Sequence, residues 1–354
     1  MTSKQVAKGL EGVVVAETAI SDVRGDVGEL VFRGRSIEHW VSMPFTDVAS
    51  AIIEHPANLA SELMQLGALS QAETNLVLSL RDLHPMRMLQ AIVPALGQLD
   101  ADATRPASEH PAAGGLLIAA KLPQAIATHL AGKGVEYPLE PDYIRRFMRQ
   151  LPGANMDALE ALNITQILQL EHSLNAGTFA ARVVASTLAN ADACVAAAFG
   201  ALSGILHGGA DQAAIEMADQ IGDPENAEQF VSDALAAKRK IMGMGHREYK
   251  VVDPRARYVK RLACELSENT PHARTFAILN AVETAMTKAM AARGKPVYAN
   301  LEFYKGLVYR CAGIPDRYFT ALFAMARVFG YIAHVAESRV DSRIIRPAAL
   351  YVGS

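Results

Sequence analysis

Apolar residues recur three and four positions apart along most of this chain. Val48, Ile52 and Ile53 form one such set, Leu59, Leu63 and Leu66 a second, and Leu76, Leu80 and Leu83 a third. That period matches one face of an α-helix, and few segments alternate with the period of two that a strand requires, so the spacing predicts an almost all-helical protein. The exception lies near the start, where VVVAETAISDVRGDVGELVFRG carries short β-branched runs around Gly25 and Gly28 and reads as a small hairpin. LHPMRMLQAIVPALGQL reads as a buried helix despite Pro94. Residues 98–112 read as a surface loop, and GKGVEYPLEPDY (132–143) and LPGANMD (151–157) as further breaks. In the last of these, Asn155 or Asp157 is available to cap the following helix. A length of 354 residues predicts two domains or one large one.

Several classes are excluded early. With 51% hydrophobic and 20% charged residues the chain has the material for packed cores and is not disordered. A net charge of −3 supplies neither a basic field for nucleic acid nor a polybasic membrane patch, so any anion site must be a local cluster of arginines. Cys194, Cys264 and Cys311 are scattered and odd in number, which fits a reducing cytoplasm. The opening MTSKQVAKGLEGV has no apolar core of signal-peptide length. The uncharged run of 14 residues from Ala193 to Leu206 is short for a membrane span of about 20 and reads as a buried helix.

The candidate chemistry gathers in the second half. His172 stands beside Glu171 ahead of a small-residue helix; alone it fits a structural histidine as well as a ligand. His207 in GILHGGADQAAIEM is followed by Gly208 and Gly209 and then a helical run. Glycine opens the backbone there, and the free N–H groups of a helix start favour a neutral imidazole. The alternative is a turn that merely needs glycine. In IMGMGHREYKVVDPRARYVKRLA, Gly243 and Gly245 precede His246, with Lys250 and Arg255 beyond. Glycine-rich backbone with basic residues suits a phosphate-bearing ligand, yet neither the Walker nor the dinucleotide spacing is present. A glycine turn before a solvated helix stays open as the plain reading. Arg327 sits in an otherwise apolar helix and needs an acid or an anionic ligand. Arg346 precedes Pro347 and cannot readily continue a helix, while Arg339 and Arg343 read as a solvated face. No metal site emerges, because there is no CxxC or HExxH and the histidines lie far apart.

LHGGA, GMGHREYKVVDPRA, NLEFYKG and IIRPAALYVG, in this order and spacing, resemble the citrate synthase family in its short bacterial form, which includes 2-methylcitrate synthases. The resemblance runs over nearly the whole chain. It implies an all-α homodimer in the cytoplasm, with a large domain (1–209 and 316–354) and a smaller, closing, CoA-binding domain (210–315). It implies condensation of an acyl-CoA with oxaloacetate, both as substrates and with no cofactor. By motif, His207 matches the histidine that bonds the thioester oxygen, and His246 the one that polarises the oxaloacetate ketone. Arg255, Arg327 and Arg346 match the arginines that hold oxaloacetate, Arg346 from across the dimer, and His172 matches a further oxaloacetate ligand. Lys250, with Gly243 and Gly245, falls where the family binds CoA.

Glu302 in NLEFYKG occupies the place of the family's aspartate base and adds one methylene, about 1.5 Å of reach. Gly177 stands where the family has serine, near the enol-stabilising histidine, and is expected to leave the room that the longer base needs. Two other readings stay open at this point: a citryl-CoA-type lyase running in the cleavage direction, and a weakly active paralogue that binds oxaloacetate or CoA.

Overall fold

The structure is a computed structural model that describes residues 6–55, 58–96 and 113–353. The loop expected at 98–112 lies outside the described residues. Three short strands, β1 (Ser21–Arg24), β2 (Glu29–Phe32) and β3 (Arg35–Ser36), form an antiparallel meander. The expected hairpin is therefore β1–β2, extended by a third strand. Val13, Val14 and Val15, the most β-branched run, belong to no strand and are exposed. β-branched residues fit a pleated surface that is half covered, and among the described residues no strand pairs with this stretch.

Helices follow. α1 (Ile37–Trp40), α2 (Phe45–Ile53), α3 (Leu59–Leu66), α4 (Gln71–Ser79) and α5 (Pro85–Ile92) precede the gap, and α6 (Ala113–Ala131) and α7 (Tyr143–Gln150) follow it. Val48, Ile52, Ile53, Leu59 and Leu63 are buried as their spacing predicts. On α4, however, Val77 and Glu73 are buried, whereas Leu83 lies beyond the helix end and is exposed. α5 stops at Ile92, before Pro94, because proline cannot supply the next hydrogen bond and clashes with the preceding turn. The break at 132–142 is capped by Asp142, which opens α7.

After the 151–157 break Asn155 caps a single 3-10 turn that leads into α8 (Leu159–Gln169). α9 (Ala176–Ala185) and α10 (Ala191–Leu202) come next. α10 buries Cys194, Val195, Ala198, Phe199 and Leu202, but the run does not continue as a buried helix to Leu206: Ile205 and Leu206 are exposed in the turn before His207. α11 (Ala210–Ile221), α12 (Ala227–Ala236), α13 (Ala256–Ser267), α14 (Ala273–Ala291) and α15 (Leu301–Cys311) pack largely on one another.

α16 (Phe319–Ser338) then returns to the earlier helices and touches α2, α5, α6, α8, α9 and α10, and also α11. Every residue from Phe319 to Val335 is buried. Its length and composition would suit a membrane crossing, yet 94% of its apolar window is covered by the protein, as in a core helix. A central helix buried all round needs no amphipathic stripe, so the Arg327 guanidinium and the polar groups it carries stand out.

Candidate active site

One cleft of about 1450 Å³ brings together His172, His207, His246, Arg255, Glu302 and Arg327, with Gly243, Gly245 and Lys250 on its wall. Arg346 is exposed on the extended segment beyond α16 and is not among the residues that line this cleft.

The loop carrying His246 is tied to the helix carrying Glu302. The backbone of Gly245 donates to the Tyr298 carbonyl at 2.7 Å, and Asn300 donates to the Gly243 carbonyl at 2.9 Å. Asn300 Nδ2 reaches the Gly245 carbonyl at 2.9 Å, and its Oδ1 accepts the Glu302 N–H at 3.0 Å, which caps α15. Gly243 has φ +79°, and a Cβ there would meet Phe303 Cα at 2.9 Å, so only glycine allows both the turn and the approach. Behind the loop, the β1–β2 turn presses in: the Gly25 carbonyl accepts from Lys250 N at 3.0 Å.

His246 Nδ1 accepts the backbone N–H of Glu248 at 3.0 Å and that of Tyr249 at 3.3 Å. Its proton therefore sits on Nε2, free to be donated. Burial and the nearby Arg255 push its pKa down, which keeps the ring neutral. His172 lies with its ring centre 5.3 Å from that of His246, and burial, with Arg255, lowers its pKa well below the usual histidine range. His207 is brought to about 4 by burial and by Arg327. Its Nε2 lies 3.3 Å from Asn175 Oδ1, an atom already accepting from two backbone N–H groups, so Nε2 is the donor.

Arg327 is buried in α16. Its Nε donates to the Gln169 carbonyl at 2.6 Å and its guanidinium lies 4.7 Å from the Phe323 ring centre. Among the described residues no carboxylate comes within 4 Å of it. Arg255 differs, because its Nε and Nη2 form a bidentate pair with Asp253 at 3.0 and 2.9 Å, leaving Nη1 for a ligand. Asp253 Oδ2 also accepts Leu301 N at 3.1 Å, which ties Arg255 to the start of α15.

Burial raises the pKa of Glu302, but Lys305, Arg255 and His246 together outweigh it, so the carboxyl lies below its usual value and is ionised at neutral pH. The expected role for Gly177 is corrected. A Cβ there would lie 2.3 Å from Tyr331 Oη and 2.8 Å from Tyr331 Cζ, so the space is filled by that ring and not by Glu302. Arg339 is also corrected: it is half-buried and donates to the Ala189 carbonyl, while Arg343 is exposed as expected.

Some site residues escaped the sequence reading. Lys238, Arg239, Lys240 and Arg293 line the cleft near Lys250. Three consecutive basic residues just ahead of GMGH were the available signal. Glu171, next to His172, is held by Ser21 Oγ at 2.9 Å and by His334 Nε2 at 3.0 Å, which anchors the His172 turn to β1.

Known proteins share this fold. Residues 9–348 match the family model described as citrate synthase, C-terminal domain. The chain is 36% identical to a citrate synthase of Synechocystis sp., over all of this chain and 92% of that one. It is 34% identical to a 2-methylcitrate synthase of Shewanella oneidensis, over 99% and 96%. Among solved structures, a citrate synthase from Thermoplasma acidophilum, in ternary complex with carboxymethyl coenzyme A and oxaloacetate, superposes with a TM-score of 0.90 at 29% identity, covering 99% of this chain and 97% of that one. The citrate synthase from Pyrobaculum aerophilum gives 0.89 at 32% identity, covering 99% and 93%.

Proposed function

The chain belongs to the citrate synthase family and is a condensing enzyme, and from that premise we propose that it joins acetyl-CoA or propionyl-CoA to oxaloacetate. With water cleaving the thioester, the products are citrate or 2-methylcitrate and free CoA. The observation that carries this reading is Arg327. A buried guanidinium that no carboxylate contacts within 4 Å among the described residues is costly, and a dicarboxylate offers it the bidentate partner it lacks. Arg255 Nη1 and His172 stand beside it for the rest of the oxo acid.

In this reading Glu302 removes a proton from the carbon next to the thioester carbonyl. That proton is weakly acidic, so the enol oxygen must be stabilised as it forms. His207 supplies an N–H whose present bond to Asn175 is long and open to exchange with a thioester oxygen. His246 donates its Nε2–H to the ketone of oxaloacetate, making it the electrophile. Lys250 and the Gly243–Gly245 backbone, together with Lys238, Arg239, Lys240 and Arg293, form the basic rim for the CoA phosphates. No cofactor takes part.

We assign 210–315 to a small domain that closes on the large one, because α11 to α15 pack mostly on one another whereas α16 packs mostly on α2 to α10, touching α11 only slightly. We also propose a homodimer in which Arg346 completes the partner's site. Ile344, Leu350, Tyr351 and Val352 are exposed around it and suited to an interface. Mixing Arg346→Ala with His246→Ala chains should restore part of the lost activity; no recovery after proven subunit exchange rejects the shared site. Three free cysteines support a cytoplasmic location.

The test of the function is thiol release from an acyl-CoA panel. Release that requires oxaloacetate is expected. Release that ignores oxaloacetate means a thioesterase, and cleavage of citryl-CoA to acetyl-CoA and oxaloacetate with no net condensation of the two means a lyase.

A further inference from the structure

Beneath the floor of the cleft lies a buried ion pair that the condensation chemistry does not use. Lys305, three residues after Glu302 on α15, is fully buried. Residues at that spacing share one helix face. Lys305 Nζ lies 3.2 Å from Asp211 Oδ2, 3.1 Å from Gln169 Oε1 and 4.2 Å from the centre of the Phe323 ring. Phe323 lines the cleft and carries the Arg327 guanidinium 4.7 Å from the same centre.

We propose that the Lys305–Asp211 pair is a positioning element that sets the charge state of Glu302, a role that rests on reading Glu302 as the base. A lysine ammonium without water is costly unless paired. Two hydrophobic residues would fill this place more cheaply, so the pair is kept for the field it makes. Asp211 opens α11, four residues after His207, and Gln169 gives its backbone carbonyl to Arg327. The pair thus ties the base helix to the helix behind the enol-stabilising histidine and to the oxo-acid arginine. The titratable and charged groups facing Glu302 are Lys305 on its own helix, Arg255 and the neutral His246 on the loop before α13, Asp211 and the neutral His207 at α11, and Arg327 on α16. Lys305 heads the cations that offset burial and hold the carboxyl ionised. Asp211 partly cancels Lys305.

The two partners therefore act with opposite sign. The probe is the carboxyl carbon signal of Glu302 in glutamate-labelled protein, identified by its loss in Glu302→Gln and titrated without substrate. Lys305→Met should move the midpoint up by about 1 to 3 units, and Asp211→Asn should move it down. The neutral double variant keeps the shape of the pair, guards against a Lys305→Met chain that fails to fold, and should also titrate higher than the parent. The acid limb of kcat should move with the midpoint. Midpoints that stay put in the soluble variants, or that move in the same direction in both single variants, overturn the proposal. Full turnover by Glu302→Gln would instead overturn the reading of Glu302 as base, while the titration would still report the field of the pair.

Discussion

Asn300 grips Glu302 and the histidine loop at once: its Oδ1 takes the Glu302 N–H at 3.0 Å and its Nδ2 holds the Gly245 carbonyl at 2.9 Å. The two bonds can be separated. Asn300→Asp keeps the cap and loses the donor to Gly245. Asn300→Ala loses both, and loss of a cap of this kind costs about 1 kcal/mol. Thermal unfolding should therefore fall more for alanine than for aspartate. kcat should fall for both, since His246 is no longer fixed against the base. Wild-type kcat in Asn300→Asp would show that the strap is not needed.

Gly177 answers to Tyr331. Because a Cβ would lie 2.3 Å from Tyr331 Oη, Gly177→Ser should destabilise the protein by about 1 to 3 kcal/mol, the range for overpacked cores. Tyr331→Leu removes the ring and should recover much of that loss in the double variant. The cost of Gly177→Ser should be the same with Glu302→Asp as without it. Denaturant unfolding of the cycle checks both statements, and coupling to Glu302 in place of Tyr331 would restore the compensation idea.

What the sequence made legible follows from how local the cause was. The glycines around His246, the cap at Asn155 and the lone Arg327 in an apolar helix each announce themselves within a few residues. The hydrophobic period set the helices but misplaced the buried face of α4, where Glu73 is buried in an ion pair with Lys121. Gly177 with Tyr331, Lys305 with Asp211, and Asp253 with Leu301 depend on which elements meet. Tertiary packing decides such pairs, and no spacing rule along one strand of sequence contains it. Arg339 looked solvated because a charge run usually is; the Ala189 carbonyl in the link between α9 and α10 lies within its reach.

Arg327 should illustrate the conflict between stability and function. Replacing it by methionine removes a buried cation that burial disfavours and that no carboxylate contacts within 4 Å among the described residues, so the ligand-free variant should unfold at a temperature equal to or above the parent. Oxaloacetate should no longer raise that temperature, whereas it stabilises the parent by mass action. Calorimetry with and without oxaloacetate reads both. A variant that still responds to oxaloacetate removes Arg327 from the site.

The three cleft histidines also fix a pH dependence. Burial lowers the pKa of His172, His207 and His246 in the folded chain, His207 to about 4. The unfolded chain takes up these protons first as pH falls. Their stabilising contribution is therefore complete above about 6.5 and is lost progressively as pH falls from there toward about 4. Unfolding midpoints measured through that window should drop with acid. His207→Gln should flatten the drop, and an unchanged slope in that variant would show that His207 is not buried neutral.

The strongest prediction concerns the reach of Glu302. Its backbone cannot slide. The N–H is held by Asn300, the preceding N–H of Leu301 by Asp253, and the following Phe303 and Tyr304 are fully buried. The position of the carboxylate is thus set by the side chain alone, and Gly177 provides no slack, because Tyr331 occupies it. Glu302→Asp withdraws the carboxylate by about 1.5 Å, and misplacement of about 1 Å costs roughly a hundredfold in rate. kcat should fall by about that factor, and further in Glu302→Gln, where no base remains. KM for oxaloacetate should stay near the parent value in both, since Arg255 and Arg327 are untouched. Exchange of the acyl α-protons with deuterated solvent, followed with an acyl-CoA and a non-reacting oxo-acid analogue, isolates the proton transfer. It should slow in parallel with kcat. If Glu302→Asp exchanges and turns over as fast as the parent, the backbone is not fixed as described; if Glu302→Gln does, another group is the base.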